Sequence, residues 1–337
     1  MKVKGVNFKI ELNGNGIVNF DSGDQKFLWN RESKNGNKNK FTSVDNNNVY
    51  AKKHYFRNEN GELGYKIKIS SDALRNAIFK GDAIATNPSI MHHKHLLYSF
   101  IGSTMGLVRG YMFAGDETIK RKSPLTITSA TQTNESESYM EFHSRSGGKQ
   151  IGNDSEKSDT TIFNKETIGD ITYEAEGFIN IQSLEFLSCD PVFDRYSFNA
   201  DEYEILKTFL SNTLPNFDSE LGYYKLNTSV IDVAEYGLKF NNEQILFLIK
   251  ETLKRIFNIS IDRANGYAKL NKLEIELVYD VLDSKNNTFV DISSINDIDN
   301  LNFEVVESYS KFDEEEAKKQ REVIEKTIKE KNSKTKK

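Results

Sequence analysis

Apolar and polar residues alternate with a period of two in four well-separated stretches of this chain. Val6, Phe8, Ile10 and Leu12 alternate near the start, and 65–69 reads YKIKI. The run 178–186 (FINIQSLEF) alternates again, as do Leu273, Ile275, Leu277 and Tyr279. This is the period of half-buried strands, which need a sheet with one face covered. The cover is legible too. In 242–257, Ile245, Leu248, Ile249, Leu253, Ile256 and Phe257 recur at i, i+3, i+4 spacing and predict one apolar helical face, with Asn241-Asn242 placed to cap it. A second helix is predicted over 201–213, and a short serine-capped one over DALRNAIF, where Leu74, Ile78 and Phe79 share a face. The fold class that follows is α+β, an antiparallel sheet with helices on one side.

Turn signals divide the elements. Asn13-Gly14-Asn15-Gly16 predicts a turn, with Ile17–Phe20 returning as a second strand. Gly169-Asp170 predicts a hairpin turn between two strand-like runs. The stretch 95–113, the most apolar of the chain, carries Gly102, Gly106 and Gly110 at a spacing of four. A buried helix with a small-residue face accounts for that spacing, and so does a backbone that approaches a phosphate. Two polar insertions interrupt the pattern, at about 21–62 and 131–160, the second with Gly147-Gly148 at its middle. No internal repeat is visible. The chain divides into a single domain over 1–300 with these insertions and a charged, partly mobile C-terminal extension over 301–337.

Composition narrows the classes of function. With 22 Phe and 15 Tyr the chain can build a core. Cys189 is the only cysteine, which rules out an internal disulfide and leaves a thiolate zinc site unsupported. The N-terminal MKVKGVNFKI lacks the apolar stretch of a signal peptide, and no run approaches the roughly 20 apolar residues of a membrane span. A soluble, cytoplasmic protein is expected. The net charge of −5 is unlike the basic balance of many nucleic-acid binders. It is unevenly spread. Between Lys80 and Thr126 stand Lys80, Lys94, Arg109, Lys120, Arg121 and Lys122 against Asp82, Asp116 and Glu117 alone.

No nucleophile elbow, Walker loop or dinucleotide fingerprint is present, so neither a catalytic centre nor a cofactor is implied. His92, His93 and His95 lack the spacing and carboxylate partner of a metal motif, and a polar or RNA-facing surface fits them better. The segment Lys120-Arg121-Lys122-Ser123-Pro124-Leu125 concentrates three cations before a serine-proline turn, as phosphate binding requires, although a solvated basic loop has the same composition. Arg109 lies inside an apolar stretch and needs a partner, either a carboxylate or a phosphate. Aromatic residues beside basic ones, in IFNK at 162–165 and RANGYAK at 263–269, suit base stacking, but most aromatics serve a core.

At these same places the sequence resembles the Cas-seven-type backbone subunits of Cascade, members of the RAMP superfamily, in the type I-F variant CRISPR system. The resemblance runs through VNFKI and GNGIVNF, ALRNAIF after its serine, GLVRGYMF at 106–113 and KRKSPL at 120–125. It is densest over 158–195 and resumes over 241–267. The insertion at 131–157 is longer than in the relatives, and the charged tail after about 300 has no counterpart.

The resemblance implies an RRM-like (ferredoxin-like) palm with inserted finger and thumb loops. It implies a non-catalytic subunit that polymerises head to tail along the spacer of the guide RNA (crRNA) and presents it for pairing with target DNA in antiviral defence. Its implied partners are the crRNA, the target DNA strand, further copies of itself, Cas-five-type and Cas-six-type subunits, and an effector helicase-nuclease. No metal and no membrane are implied. Arg75, Arg109, Lys120, Arg121, Lys122 and Ser123 lie in the matching blocks and are the candidate phosphate contacts, with Lys165 and Arg263 in second rank. The 163–173 stretch, taken as a hairpin, is a candidate for the thumb or for a neighbouring RNA-facing element. The alternative activity is that of type III backbone subunits, a metal-dependent cut of target RNA.

Overall fold

The computed structural model describes residues 2–22, 49–57, 60–61, 63–82, 93–114, 118–146, 160–229, 233–263, 265–279 and 288–335. Most of the 21–62 insertion, His92 and the Gly147-Gly148 pair lie outside these residues.

In chain order the strands begin with β1 (Val3–Gly16), β2 (Phe20–Ser22), β3 (Val49–Ala51), β4 (Lys53–Arg57) and β5 (Leu63–Ile69). Helices α1 (Ser71–Ile78), α2 (Lys94–Ile101) and α3 (Thr104–Arg109) follow. Next come β6 (Tyr111–Phe113), β7 (Ile119–Arg121), β8 (Leu125–Ile127), β9 (Ala130–Gln132), β10 (Ser138–Ser146), β11 (Thr160–Ile168) and β12 (Asp170–Asn180). The second half holds α4 (Ile181–Glu185), β13 (Phe186–Ser188), α5 (Tyr203–Thr213), β14 (Gly222–Leu226), β15 (Glu235–Lys239) and α6 (Asn242–Phe257). It ends with β16 (Ser260–Arg263), β17 (Gly266–Tyr279), β18 (Val290–Asp291), α7 (Ile295–Asp299), β19 (Tyr309–Lys311) and α8 (Glu314–Thr335).

The central sheet has the order β16-β17-β1-β12-β9-β5-β4, with β8 beside β12 and β18 beside β17. Its ladders are antiparallel. Alternation along β1 buries Val6, Phe8, Ile10 and Leu12 on one face. These join one core with Leu74 and Ile78 of α1 and with Ile245, Leu248, Ile249, Leu253 and Ile256 of α6. The capping box predicted for α6 is present: the Asn241 side chain accepts from the Gln244 N–H, and Gln244 accepts in return from the Asn241 N–H. The other face of the sheet is polar. There Lys9 pairs with Glu176 at 3.3 Å, and Asn7 Nδ2 donates to Glu276 at 2.7 Å.

Four local expectations fail. First, β1 does not turn at Asn13–Gly16; it continues, paired with β12 on one side and β17 on the other. Glycine serves close approach there, since a Cβ on Gly14 would lie 2.2 Å from the Tyr267 carbonyl oxygen. Second, the apolar stretch 95–113 is two helices followed by the short strand β6. Gly102 ends α2, and Ser103 caps α3 by accepting from the Gly106 N–H.

Third, Gly169 is not the tip of a hairpin. β11 pairs with β10 and β3 in a four-stranded sheet of order β10-β11-β3-β2, whereas β12 belongs to the central sheet. The hairpin in this region is β10–β11, whose arms take in 138–146 and 160 of the second polar insertion, and the 163–173 stretch spans two sheets. Fourth, the alternation over 178–186 is interrupted by α4, capped by Asn180, before β13 begins.

A further four-stranded sheet, β13-β15-β14-β19, takes up the C-terminal region. The buried Glu185 carboxylate accepts from the Ser308 and Tyr309 N–H groups at 2.7 and 3.1 Å, which holds β19 in place. Burial raises the Glu185 pKa, while these bonds and Lys239 oppose the rise. Among the described residues no helix is long and apolar enough to cross a membrane.

Candidate nucleic-acid interface

Three elements bring the first-rank basic residues together. Arg75 lies in the last turn of α1, Arg109 ends α3, and Lys120 and Arg121 end β7, with Lys122 and Ser123 following. Gly110 closes the distance. It sits at φ +75, and a Cβ there would come within 2.5 Å of the Arg121 carbonyl oxygen and 2.8 Å of the Ser123 nitrogen. The end of α3 and the 121–123 segment are therefore in direct contact.

Arg75 Nη2 donates to the Arg109 carbonyl oxygen at 2.7 Å. Arg109 Nη2 in turn donates to Asn76 Oδ1. Arg109, the cation set in an apolar stretch of sequence, thus has a neutral amide as its partner. Among the described residues neither arginine forms an ion pair with a carboxylate, and the Arg75 Nε is buried without an acceptor. Desolvation lowers the Arg109 pKa, the nearby Arg75 charge lowers it further, and Asp72 raises it. Two cations held together without direct neutralisation make a site that an anion would stabilise.

The other candidates have different settings. Arg121 is 6% exposed. Its Nε, Nη1 and Nη2 donate to the carbonyls of Leu107, Phe186 and Ser183, each at 2.9 Å. Burial pushes its pKa down to about 10. The side chain ties the end of α3 to α4 and β13, and its donors are occupied by main chain. Lys120 pairs with Asp194. Ser123 Oγ donates to the Leu125 carbonyl at 2.6 Å. Lys122 is exposed and has no carboxylate partner among the described residues. Lys165 lies on β11 in the β10-β11-β3-β2 sheet, and Arg263 is exposed at the end of β16, so neither shares an element with the cluster. Near Arg263, Tyr267 is exposed with the Lys269 ammonium 5.6 Å from its ring centre.

Sequence reasoning missed Asn76, the partner that fixes Arg109. A single asparagine on the polar side of a short helix carries no motif, and its neighbour Arg75 is the only hint. Asp194, the partner of Lys120, lies 74 positions away and carries no local signal. His93 and His95 are exposed at the start of α2. Among the described residues no group of His, Cys, Asp or Glu is placed to hold a metal ion.

A profile of the family described as type I-Fv CRISPR-associated protein Cas7fv-like matches residues 2–312, and the chain belongs to that family. Among curated proteins none matches it. Two solved structures are similar in outline. One, titled "CRISPR RNA-guided surveillance complex", has 10% identity and a TM-score of 0.35 over 82% of this chain and 70% of the other. The second, titled "CRISPR RNA-guided surveillance complex, pre-nicking", has 8% identity and a TM-score of 0.38 over 82% and 77%.

Proposed function

We propose that this protein is a non-catalytic backbone subunit of a type I-F variant Cascade, and that it grips the phosphates of the crRNA with the Arg75–Arg109 cluster. The observation that carries this reading is the arginine pair itself, half-buried and without a carboxylate contact among the described residues. Lys122 extends the positive surface. Arg121 acts from behind, holding α3 against α4 and β13. Contacts of this kind read no bases, so any guide sequence is accepted.

The palm of this reading is RRM-like. In its support, β17, β1, β12 and β8/β9 stand side by side in that order, with α1 between the first and second of them in sequence and α6 between the third and fourth. This is the 4-1-3-2 order of a βαββαβ unit. Residues 1–300 form one unit in this view, and 301–337 extend from it. The β10–β11 hairpin, which carries exposed Tyr139 and Met140, is the better candidate for an inserted finger or thumb. Further copies pack head to tail along the spacer. Cas-five-type and Cas-six-type subunits close the ends, and an effector helicase-nuclease acts on the paired target DNA in the cytoplasm.

The test is purification from a host that expresses a CRISPR array and the partner subunits. Spacer-length RNA in a nuclease-resistant assembly is the expected result. A protein free of RNA with all partners present would refute the reading.

A further inference from the structure

We infer that the ribbon formed by β4 and β5 is a second nucleic-acid site, one that holds bases of single-stranded RNA by stacking. The inference rests on the nucleic-acid-binding reading above but on different residues.

β4 is the edge strand of the central sheet. Its register with β5 sets Tyr55 opposite Tyr65, His54 opposite Lys66 and Phe56 opposite Gly64. Phe56 is 38% exposed and Tyr65 47% exposed. The Phe56 ring lies over Gly64, where a Cβ would meet it at 2.9 Å. Glycine thus gives this ring a flat seat. On the other face the Lys53 ammonium stands 4.3 Å from the Tyr65 ring centre and is pinned by Glu166 at 3.0 Å. Glu166 also accepts from the Ala51 N–H at 3.0 Å, so β11 fixes the start of the ribbon.

Charge and rings coincide here. The described residues of 49–69 include Lys52, Lys53, Arg57, Lys66 and Lys68 and no carboxylate, while Glu59 and Glu62 fall between the two strands in sequence. Proteins often place cations on an edge strand to block unwanted pairing, and this accounts for the lysines. It does not account for large exposed rings beside them, which make an edge more adhesive. Each face of the ribbon sets one exposed ring beside cations, Phe56 with Lys66 and Tyr65 with Lys53, which suits a single strand that passes over the edge, its phosphates meeting the cations and its bases stacking on the ring of each face. The polar face of the sheet beyond the ribbon carries Glu11, Glu174, Glu176, Glu274 and Glu276 against Lys9, Lys269 and Lys272, an acidic balance that favours the ribbon as the strand's place.

The test measures binding of the full chain to labelled short oligouridylate, with oligothymidylate as the comparison. Phe56→Ala and Tyr65→Ala should each weaken oligouridylate binding by about tenfold. The salt dependence should stay unchanged, because every cation that meets a phosphate is still in place. Tyr65→Trp should retain affinity. Wild-type affinity in both alanine variants, with Arg75→Ala weakened, overturns the ribbon site and leaves the proposed function standing. Ring dependence seen with oligothymidylate alone overturns the assignment to RNA. Altered self-assembly at unchanged oligouridylate affinity marks the ribbon as a protein contact and also overturns it. If the wild type binds neither probe, the underlying reading fails as well.

Discussion

Arg75 Nη2 donates to the Arg109 carbonyl oxygen at 2.7 Å, and through this bond α1 holds the end of α3. The guanidinium of one arginine anchors the main chain that carries the other. Asn76, the next residue of α1, accepts from the Arg109 side chain. Two adjacent residues of one short helix therefore position both cations.

Arg109→Ala should reduce affinity for single-stranded RNA and lower the slope of log affinity against log salt by about 0.7 for each phosphate that the guanidinium neutralises. Asn76→Ala should reproduce part of that weakening with the charge intact, because Arg109 is then unguided. Titration of RNA binding at several salt concentrations separates the two. An unchanged slope in Arg109→Ala would remove this residue from the interface.

Arg121→Ala should act on the fold. Three main-chain carbonyls lose their donor at once in a buried place, and each unsatisfied acceptor costs about 1–3 kcal/mol. The denaturation midpoint should fall sharply, while RNA affinity per folded molecule should change little. Arg121→Lys should not rescue it, since one ammonium cannot span acceptors arranged for a planar fork. A stable Arg121→Ala variant with weakened RNA binding would place Arg121 on the RNA instead.

This residue shows where sequence reading stops. Lys120-Arg121-Lys122 looks like one basic patch, yet its members differ in environment. β7 alternates, so Lys120 and Lys122 face outward and Arg121 inward. The period-two rule was available for a run of three but needs a known strand to apply it. Long periodic elements were legible for the reason that periodicity reports a buried face: α6, α5, β5 and β17 stand where the pattern predicts. Turn chemistry misled at Gly14 and Gly169, because glycine also serves close strand approach and a passage between sheets, which only the tertiary neighbours distinguish. The Asn76 and Asp194 partners are tertiary contacts without any sequence period, so no local rule finds them.

Cys189 should be inert in the native protein. It is buried in β13's continuation, and burial pushes its thiol up to about 12 from 9.0. The thiolate is the reactive form. At pH 8 the folded protein should therefore alkylate about a thousandfold more slowly than the unfolded chain. The native rate should rise tenfold per pH unit through the alkaline range. Quenched alkylation followed by mass spectrometry checks this, and fast native labelling at pH 8 would show that the thiol is open to solvent.

Arg321 is the charged fastening of α8, beside Gln320, whose Oε1 accepts from the Ala234 N–H at 3.3 Å. Its guanidinium pairs with the buried Asp190 carboxylate, and its Nη2 donates to the Ala234 carbonyl at 3.2 Å. Asp190 also accepts from the Val192 and Tyr236 N–H groups at 3.1 and 3.0 Å, so the carboxylate is ordered before the helix arrives. Apart from Ala317, which is buried, this end of α8 offers little apolar surface. A charged helix of this kind is marginal when undocked. Removing one partner of a buried pair costs about 3–5 kcal/mol, more than the apolar packing of one alanine can replace. Arg321→Ala should therefore release α8 while the rest of the fold persists. Limited trypsin digestion should then cut at Lys318 and Lys319 much faster than in the wild type, leaving a stable fragment that ends there. Arg321→Lys should protect only partly, because it can meet Asp190 but not the Ala234 carbonyl at the same time. Equal cleavage rates in all three proteins would mean that α8 is held by something other than this ion pair.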